Sequence, residues 1–258
     1  MSARPDLTIL PGGATAPLRF RALGRPADLD LALAGPDRPG AVTAVLAACA
    51  DPPHPAAAIW ALTLAARIGG LLAVWSGSTG AAALDLALRC AAPGCGAALE
   101  VDLPVEALME LAREAEDEAR LQVGARTLRR PTGADQRRWQ AEAPADPEAA
   151  ILQALLVRGT APADPAERAA LADDLAGFDP LSCFAVTLTC PDCGAEATLP
   201  VDLEAELLAR LARVQDALFA EVDILARRYG WSDRVILSMP AARRARYLRL
   251  ARAEEGWG

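Results

Sequence analysis

Apolar residues follow two rhythms along this chain. In residues 203–229 Leu207, Leu211, Val214, Leu218, Val222 and Leu225 recur at spacings of three and four, which lays one apolar face along a long helix. Gly230 is placed to end it, Ser232 to cap a short helix through Met239, and Pro240 to open a last helix. The same rhythm predicts helices over 41–50, 55–75, 106–118, 148–156 and 165–175. Ile59, Leu62, Ile68, Leu71, Leu72 and Trp75 are the expected buried positions of the second, and Leu108 and Leu111 those of the third. The pair Gly69-Gly70 is expected to break the second helix, and Ser76-Gly77-Ser78-Thr79-Gly80 reads as a loop. Thr132 and Asp135 are spaced to cap one more helix after Pro131, and residues 141–148 read as a loop rich in Pro, Ala and Asp.

The second rhythm is extended. Residues 7–10 and 18–23 are short strand candidates, and 28–34 alternate charge with Leu and Ala at period two. Residues 84–88 and 99–103 flank a turn holding Cys90 and Cys95, as in a hairpin with the cysteines at its tip. That unit returns a hundred residues later. Cys90, Cys95 and Gly96, followed by Leu99, Val101, Asp102 and Leu103, match Cys190, Cys193 and Gly194, followed by Leu199, Val201, Asp202 and Leu203. The fold class expected is therefore α+β: mostly helical, with two β-hairpin zinc knuckles as an internal repeat sharing one metal site, and a small N-terminal β region. Three segments follow: a β-rich stretch at 1–40, a helical region at 41–202 with knuckles at 84–103 and 184–203, and C-terminal helices at 203–258 with an Arg-rich tail.

A Cys-x4-Cys or Cys-x2-Cys turn supplies only two of the four ligands of a tetrahedral zinc, so the two knuckles read as halves of one site formed by Cys90, Cys95, Cys190 and Cys193. Joining them closes a loop at an entropic cost of about 4 kcal/mol. That is less than the roughly 10–16 kcal/mol of apparent binding energy in zinc-finger peptides. Unmetallated turns, disulfides within each pair and a rubredoxin-like iron centre are the alternatives. One structural Zn2+ per chain is the preferred reading, because four thiolates leave no open position and nothing else suggests electron transfer. Cys49 and Cys183 read as small buried hydrophobes.

Composition narrows the function classes. With 258 residues, 53% of them hydrophobic, the chain can bury a sizeable core. A net charge of −8 repels polyanions on average, so nucleic acid is not the favoured partner. The opening residues, with Arg4 and Asp6, lack the apolar core of an export signal, which points to the cytoplasm. Residues 56–75 are long enough to span a bilayer, but a central Arg67 costs about 2.5–3.5 kcal/mol on insertion scales, so a buried helix is expected and no membrane contact. His54 is the only histidine, which removes most hydrolase arrangements, and no Gly-rich phosphate loop is present. Neither catalysis nor a small-molecule substrate is expected. The arginines at 243, 244, 246, 249 and 252 form either a solvated helix face or a basic patch for an acidic partner.

Taken in order, the first knuckle, Arg130-Pro131-Thr132-Gly133-Ala134-Asp135-Gln136, the second knuckle, and Tyr229-Gly230-Trp231 running on to Met239-Pro240 and Arg243-Arg244-Ala245-Arg246-Tyr247-Leu248 resemble the baseplate hub assembly chaperone family of contractile phage tails and extracellular contractile injection systems. The resemblance covers residues 84–250, and Gly230 stands where a His or another larger residue is expected. It implies a non-catalytic protein, made in the producing cell's cytoplasm, that helps a baseplate hub assemble or joins it as a minor component. Hub and spike proteins are the implied partners. Pro131, Thr132, Asp135, Gln136, Trp231, Arg243, Arg244, Arg246 and Tyr247 are the candidate partner-binding residues. The competing reading is a zinc-ribbon nucleic-acid-binding regulator that uses the terminal arginines.

Overall fold

In the computed structural model, which describes residues 18–255, the chain enters through a two-residue strand, β1 (Arg19–Phe20), a 3-10 turn (Pro26–Asp30) and helix α1 (Arg38–Cys49). Strand β2 (Ala50–Asp51) pairs antiparallel with β1, Phe20 opposite Ala50. This pair is all the β structure the N-terminal region contributes among the described residues; residues 7–10 lie outside them. The period-two stretch at 28–34 does not become a strand. Asp28 turns fully inward instead, where its carboxylate accepts both Arg21 Nη groups at 2.7 Å and the amides of Gly24 and Arg25 at 2.8 Å. Gln215 Nε2 donates to the carbonyls of Asp28, Leu29 and Leu31, satisfying backbone that would otherwise need a sheet neighbour.

The apolar stretch 55–75 forms two helices, α2 (Ala56–Trp60) and α3 (Leu64–Thr79), and the break falls ahead of the glycines. Thr63 caps α3 by accepting from the Ala66 amide at 3.1 Å. Gly69 and Gly70 lie inside the continuous helix, and Leu46 and Phe20 pack against Gly70, where a Cβ would meet their side chains at 2.8 and 2.9 Å. Residues 76–79, expected as loop, complete α3. The Ser78 and Thr79 hydroxyls donate back to the carbonyls of Val74 and Trp75, at 2.6 and 2.9 Å, and Gly80, at φ +75°, ends the helix.

The first knuckle hairpin follows as β3 (Ala83–Arg89) and β4 (Ala98–Pro104), leading into α4 (Val105–Asp117). Next comes an insertion with its own small core. Strands β5 (Arg120–Val123) and β6 (Arg126–Arg129), helices α5 (Gly133–Glu142) and α6 (Pro147–Leu155), strand β7 (Leu156–Arg158) and helix α7 (Pro165–Phe178) enclose Leu128, Leu152, Leu155 and Leu171. The antiparallel sheet β5-β6-β7 is not foreshadowed by the sequence pattern, since its strands are three or four residues long and bounded by Arg120, Arg126, Arg129 and Arg158. The second hairpin, β8 (Ala185–Thr189) with β9 (Glu196–Pro200), precedes α8 (Leu203–Tyr229), α9 (Asp233–Ser238) and α10 (Ala241–Glu255). The fold is α+β and mostly helical, as expected.

Helix α3 forms the middle of the main core, packed by α1, α4 and α8. Arg67 is wholly buried in it. Its guanidinium donates to the carbonyls of Pro39 and Ile59 and to the Thr43 hydroxyl, and Glu204 stands 3.9 Å away. Burial lowers the Arg67 pKa to about 10, with Glu204 acting against the fall. None of the described helices is long and apolar enough to cross a membrane.

Candidate metal centre

Each knuckle is built by its hairpin. In the first, strands pair from Ala83 opposite Pro104 to Arg89 opposite Ala98, and the Cys90 amide then donates to the Ala97 carbonyl at 2.9 Å. In the second, pairing runs from Ala185 opposite Pro200 to Thr189 opposite Glu196, and the Cys190 amide donates to the Ala195 carbonyl, again at 2.9 Å. Gly96 and Gly194 stand at φ +64° and +71° with open space where a Cβ would be, so glycine serves the backbone conformation there and not clearance. The amide that follows Gly96, that of Ala97, bonds the Cys95 sulfur. The amides of Ala92, and of Asp192 and Cys193, do the same for Cys90 and Cys190.

The two tips meet. Sγ of Cys90 lies 3.7 Å from Sγ of Cys193, and Sγ of Cys95 lies 3.8 Å from Sγ of Cys190. All four ligand atoms fall within 4.8 Å of one another, and all four cysteines are free thiols. A tetrahedron with metal–sulfur bonds of about 2.3 Å has edges of about 3.8 Å. The two close pairs both join one hairpin to the other, so a metal at the centre is compatible with all four ligands as they stand. A small apolar cluster surrounds them, formed by Leu88 and Leu99 of the first hairpin and Leu188 and Leu199 of the second.

Amides from Cys193 and Asp192 hold the Cys190 thiol down to about 7. Cys95 is pushed up to about 12: the Ala97 amide favours its thiolate, but the neighbouring Cys193 and burial prevail. A cation at the centre reverses that order, since four thiolates become favourable around it.

The repeat diverges at its exit. In the first copy Val101, Asp102 and Leu103 remain in strand β4, whereas in the second β9 stops at Pro200 and Asp202 caps α8, accepting from the Ala205 amide at 3.0 Å.

The other candidate residues fall into two groups. Pro131, Thr132, Asp135 and Gln136 form a knot between the insertion and the main core. The Leu64 amide donates to the Pro131 carbonyl at 2.9 Å, Asp135 accepts both Arg129 Nη groups and caps α5 together with Thr132, and Gln136 Nε2 donates to Glu204 at 2.7 Å. Gly133 lies against Arg67, whose Cζ would stand 2.6 Å from a Cβ. These side chains are engaged within the chain. At the C-terminus Trp231 stacks on Tyr229 with centroids 4.5 Å apart, and Tyr247 meets both edge-on. Arg244 is buried against Glu221 at 2.6 Å, while Arg243 and Arg246 are exposed. Gly230 caps α8 at φ +69°, a left-handed conformation that glycine adopts without strain.

Cys49 is buried as expected, and burial pushes its thiol up to about 12; Cys183 is exposed, because the turn ahead of β8 carries it to the surface. The buried carboxylate Glu204 escaped the sequence reading, since it looks like an ordinary acidic residue in the first turn of a helix. The signal that could reveal it is the need of a buried Arg67 for a counter-charge. No protein-family model, curated protein or solved structure matches the chain.

Proposed function

We propose that the chain is a non-enzymatic assembly factor or minor structural component of the baseplate hub of a contractile tail or injection system, held in shape by one structural zinc. The observation carrying this reading is that two copies of one hairpin, separated by a whole folded insertion, bring four sulfurs to tetrahedral spacing. A four-thiolate zinc has no position for water or substrate, so the centre serves as a fastener. The order of the knuckles, the capped turn at 131–136 and the aromatic-arginine C-terminus adds the likeness to baseplate assembly proteins. Hub or spike proteins would then dock on side chains left exposed near the C-terminus, Arg243 and Arg246 among them. The protein would act in the cytoplasm of the producing cell.

The test is affinity capture of the tagged chain from cells expressing an entire tail gene cluster. Hub or spike proteins should co-purify stoichiometrically. Capture of nucleic acid alone, with binding that weakens steeply as salt rises, would replace this reading with that of a regulator using the exposed arginines of α10.

A further inference from the structure

The two knuckle hairpins present four strand edges, and the bonds at the ends of each hairpin fix which residues face outward. The Cys190 amide donates to Ala195 and the Val201 amide to Phe184, both at 2.9 Å, so the even-numbered residues of β8 are the ones that bond β9. The N–H and C=O groups of Ala185, Thr187 and Thr189 therefore point away from β9, and those of Glu196 and Thr198, with the Pro200 carbonyl, point away from β8. In the first hairpin the bonds of Cys90 to Ala97 and of Val105 to Ala82 set the same parity, which turns Asp85 outward on β3 and Glu100 and Asp102 outward on β4.

Three of the four edges are guarded. On β3, Arg210 of α8 donates to the outward Asp85 carbonyl and pairs with the Asp85 carboxylate at 2.9 Å. On β4 stand Glu100, Asp102 and Pro104, and on β9 Glu196 and Pro200; charge and proline are the usual means of keeping an edge from pairing. Strand β8, Ala185-Val186-Thr187-Leu188-Thr189, carries neither. Among the described residues β9 is its only strand neighbour, no helix packs along its other side, and the outward backbone groups of Ala185, Thr187 and Thr189 have no hydrogen-bond partner. All three side chains are exposed.

This open edge is complementary to itself. Set antiparallel against the same strand of a second copy, with Thr187 on the two-fold axis, it places Ala185 opposite Thr189 and Thr187 opposite Thr187, so that the outward residues of both strands satisfy one another. Thr187 and Thr198 already share a hydrogen bond of 2.9 Å across the hairpin, and self-pairing extends it into a row of four threonines on the exposed face. On the other face Val186 meets Leu188, both half-buried, and no like charges are brought together within the paired strands. A two-stranded ribbon is marginal alone, whereas the pair of hairpins makes a four-stranded sheet.

We propose that β8 pairs antiparallel with β8 of a second copy of this chain, joining the two second hairpins into one sheet across an axis at Thr187. A foreign strand would supply the same backbone groups, but the threonine row and the Val-Leu match favour the chain's own. The paired strands are short, so the dimer is weak and forms with rising concentration. Self-pairing does not depend on the assembly reading or on which metal is bound.

The experiment uses the full chain with zinc and a reductant present, the latter to prevent cystine-linked dimers through exposed Cys183. Sedimentation velocity over a concentration series should show a monomer–dimer equilibrium. Residue-resolved amide exchange should show Ala185, Thr187 and Thr189 gaining protection as concentration rises, while Thr198 on the opposite edge does not. Thr187→Lys, an exposed change that sets like charges across the axis, should weaken dimerisation at least about tenfold, equivalent to roughly 1.4 kcal/mol, with zinc content and thermal midpoint unchanged. Thr187→Val, neutral and β-branched, should keep most of it. If the Lys variant fails to fold, exchange on the parent decides. The proposal is overturned if the chain stays monomeric up to millimolar concentration, if Thr187→Lys dimerises as the parent does, or if the dimer leaves the three β8 amides unprotected. Protection of those amides only in a complex with a captured protein would give the edge to a foreign strand and likewise overturn self-pairing.

Discussion

Cys90 and Cys193 belong to different hairpins, 103 positions apart, yet their sulfurs stand 3.7 Å from one another, an edge of the tetrahedron that four thiolates make around zinc. Elemental analysis should find one zinc per chain. Cys90→Ser or Cys193→Ser should lower both metal content and the thermal midpoint, the latter by roughly 10 °C or more, since a domain of this size shifts about 2–4 °C per kcal/mol. Cys183→Ser should change neither. Two metals per chain, or full stability after both knuckle substitutions, would mean that the hairpins do not share a site.

Gly133 and Arg67 pack so closely that an added methyl group would strike the guanidinium, which is itself held by Pro39, Thr43 and Ile59. Gly133→Ala should therefore destabilise the chain by about 1–3 kcal/mol, the usual cost of overpacking. Arg67→Met leaves Glu204 without its buried cation and should cost about 3–5 kcal/mol. If steric contact with Arg67 is the cause, Gly133→Ala should cost less in the Arg67→Met background, a coupling that a denaturant double-mutant cycle measures directly.

These two sites differ in how far they can be read from sequence. The knuckles are legible because the spacing of Cys90 and Cys95, of Cys190 and Cys193, and the glycine after each pair are local and chemically specific. The helix Leu203–Tyr229 and its stop at Gly230 are legible for a similar reason, a sustained period with a clear terminator. The Pro131–Gln136 turn shows its capping residues but not its destination: only the fold places Gly133 against Arg67 and Gln136 against Glu204. Residues 76–79 look like a loop by composition, and tertiary packing of α3 overrides that preference. Asp28 alternates with leucines as strand residues do, but a bidentate Arg21 draws it into a buried turn. In each case the missing information is a long-range partner.

Asp28 and Asp179 predict opposite pH dependence. Although burial opposes it, Arg21 and the amides of Arg25 and Gly24 hold the Asp28 pKa below its ordinary value. Its stabilisation is present above the unfolded carboxylate pKa of about 3.9 and is lost as pH falls through the lower folded value. Asp179 is buried, and burial raises its pKa to about 6 against the pull of Arg130, 3.8 Å away, and of the neighbouring Ser182. The folded chain thus holds a proton there that the unfolded chain releases, so stability falls as pH rises from about 4 to 6, by about 2–3 kcal/mol. Denaturant titrations of the parent and Asp179→Asn at pH 4.5 and 7.5 should show the variant gaining on the parent by that amount at the higher pH. Asp28→Asn should instead lose most at neutral pH and least in acid. Comparing each variant with its parent cancels any metal release common to both.

Arg244 separates scaffold from surface within the arginine-rich helix. Its guanidinium bonds Glu221 at 2.6 Å and fixes α10 to α8, next to the ring cluster of Tyr229, Trp231 and Tyr247. Arg243 and Arg246 flank it and face solvent. Arg244→Ala strands a half-buried carboxylate and should lower stability by about 1–3 kcal/mol. The double substitution R243E/R246E touches no side-chain partner among the described residues and should stay within about 0.5 kcal/mol of the parent, as surface changes do. If α10 contributes to docking, the same double variant should lose captured hub or spike protein at least about tenfold while remaining folded. Calorimetry and affinity capture on the two variants give opposite patterns under that assignment, stability lost in one and binding lost in the other; equal capture by parent and R243E/R246E would remove α10 from the interface.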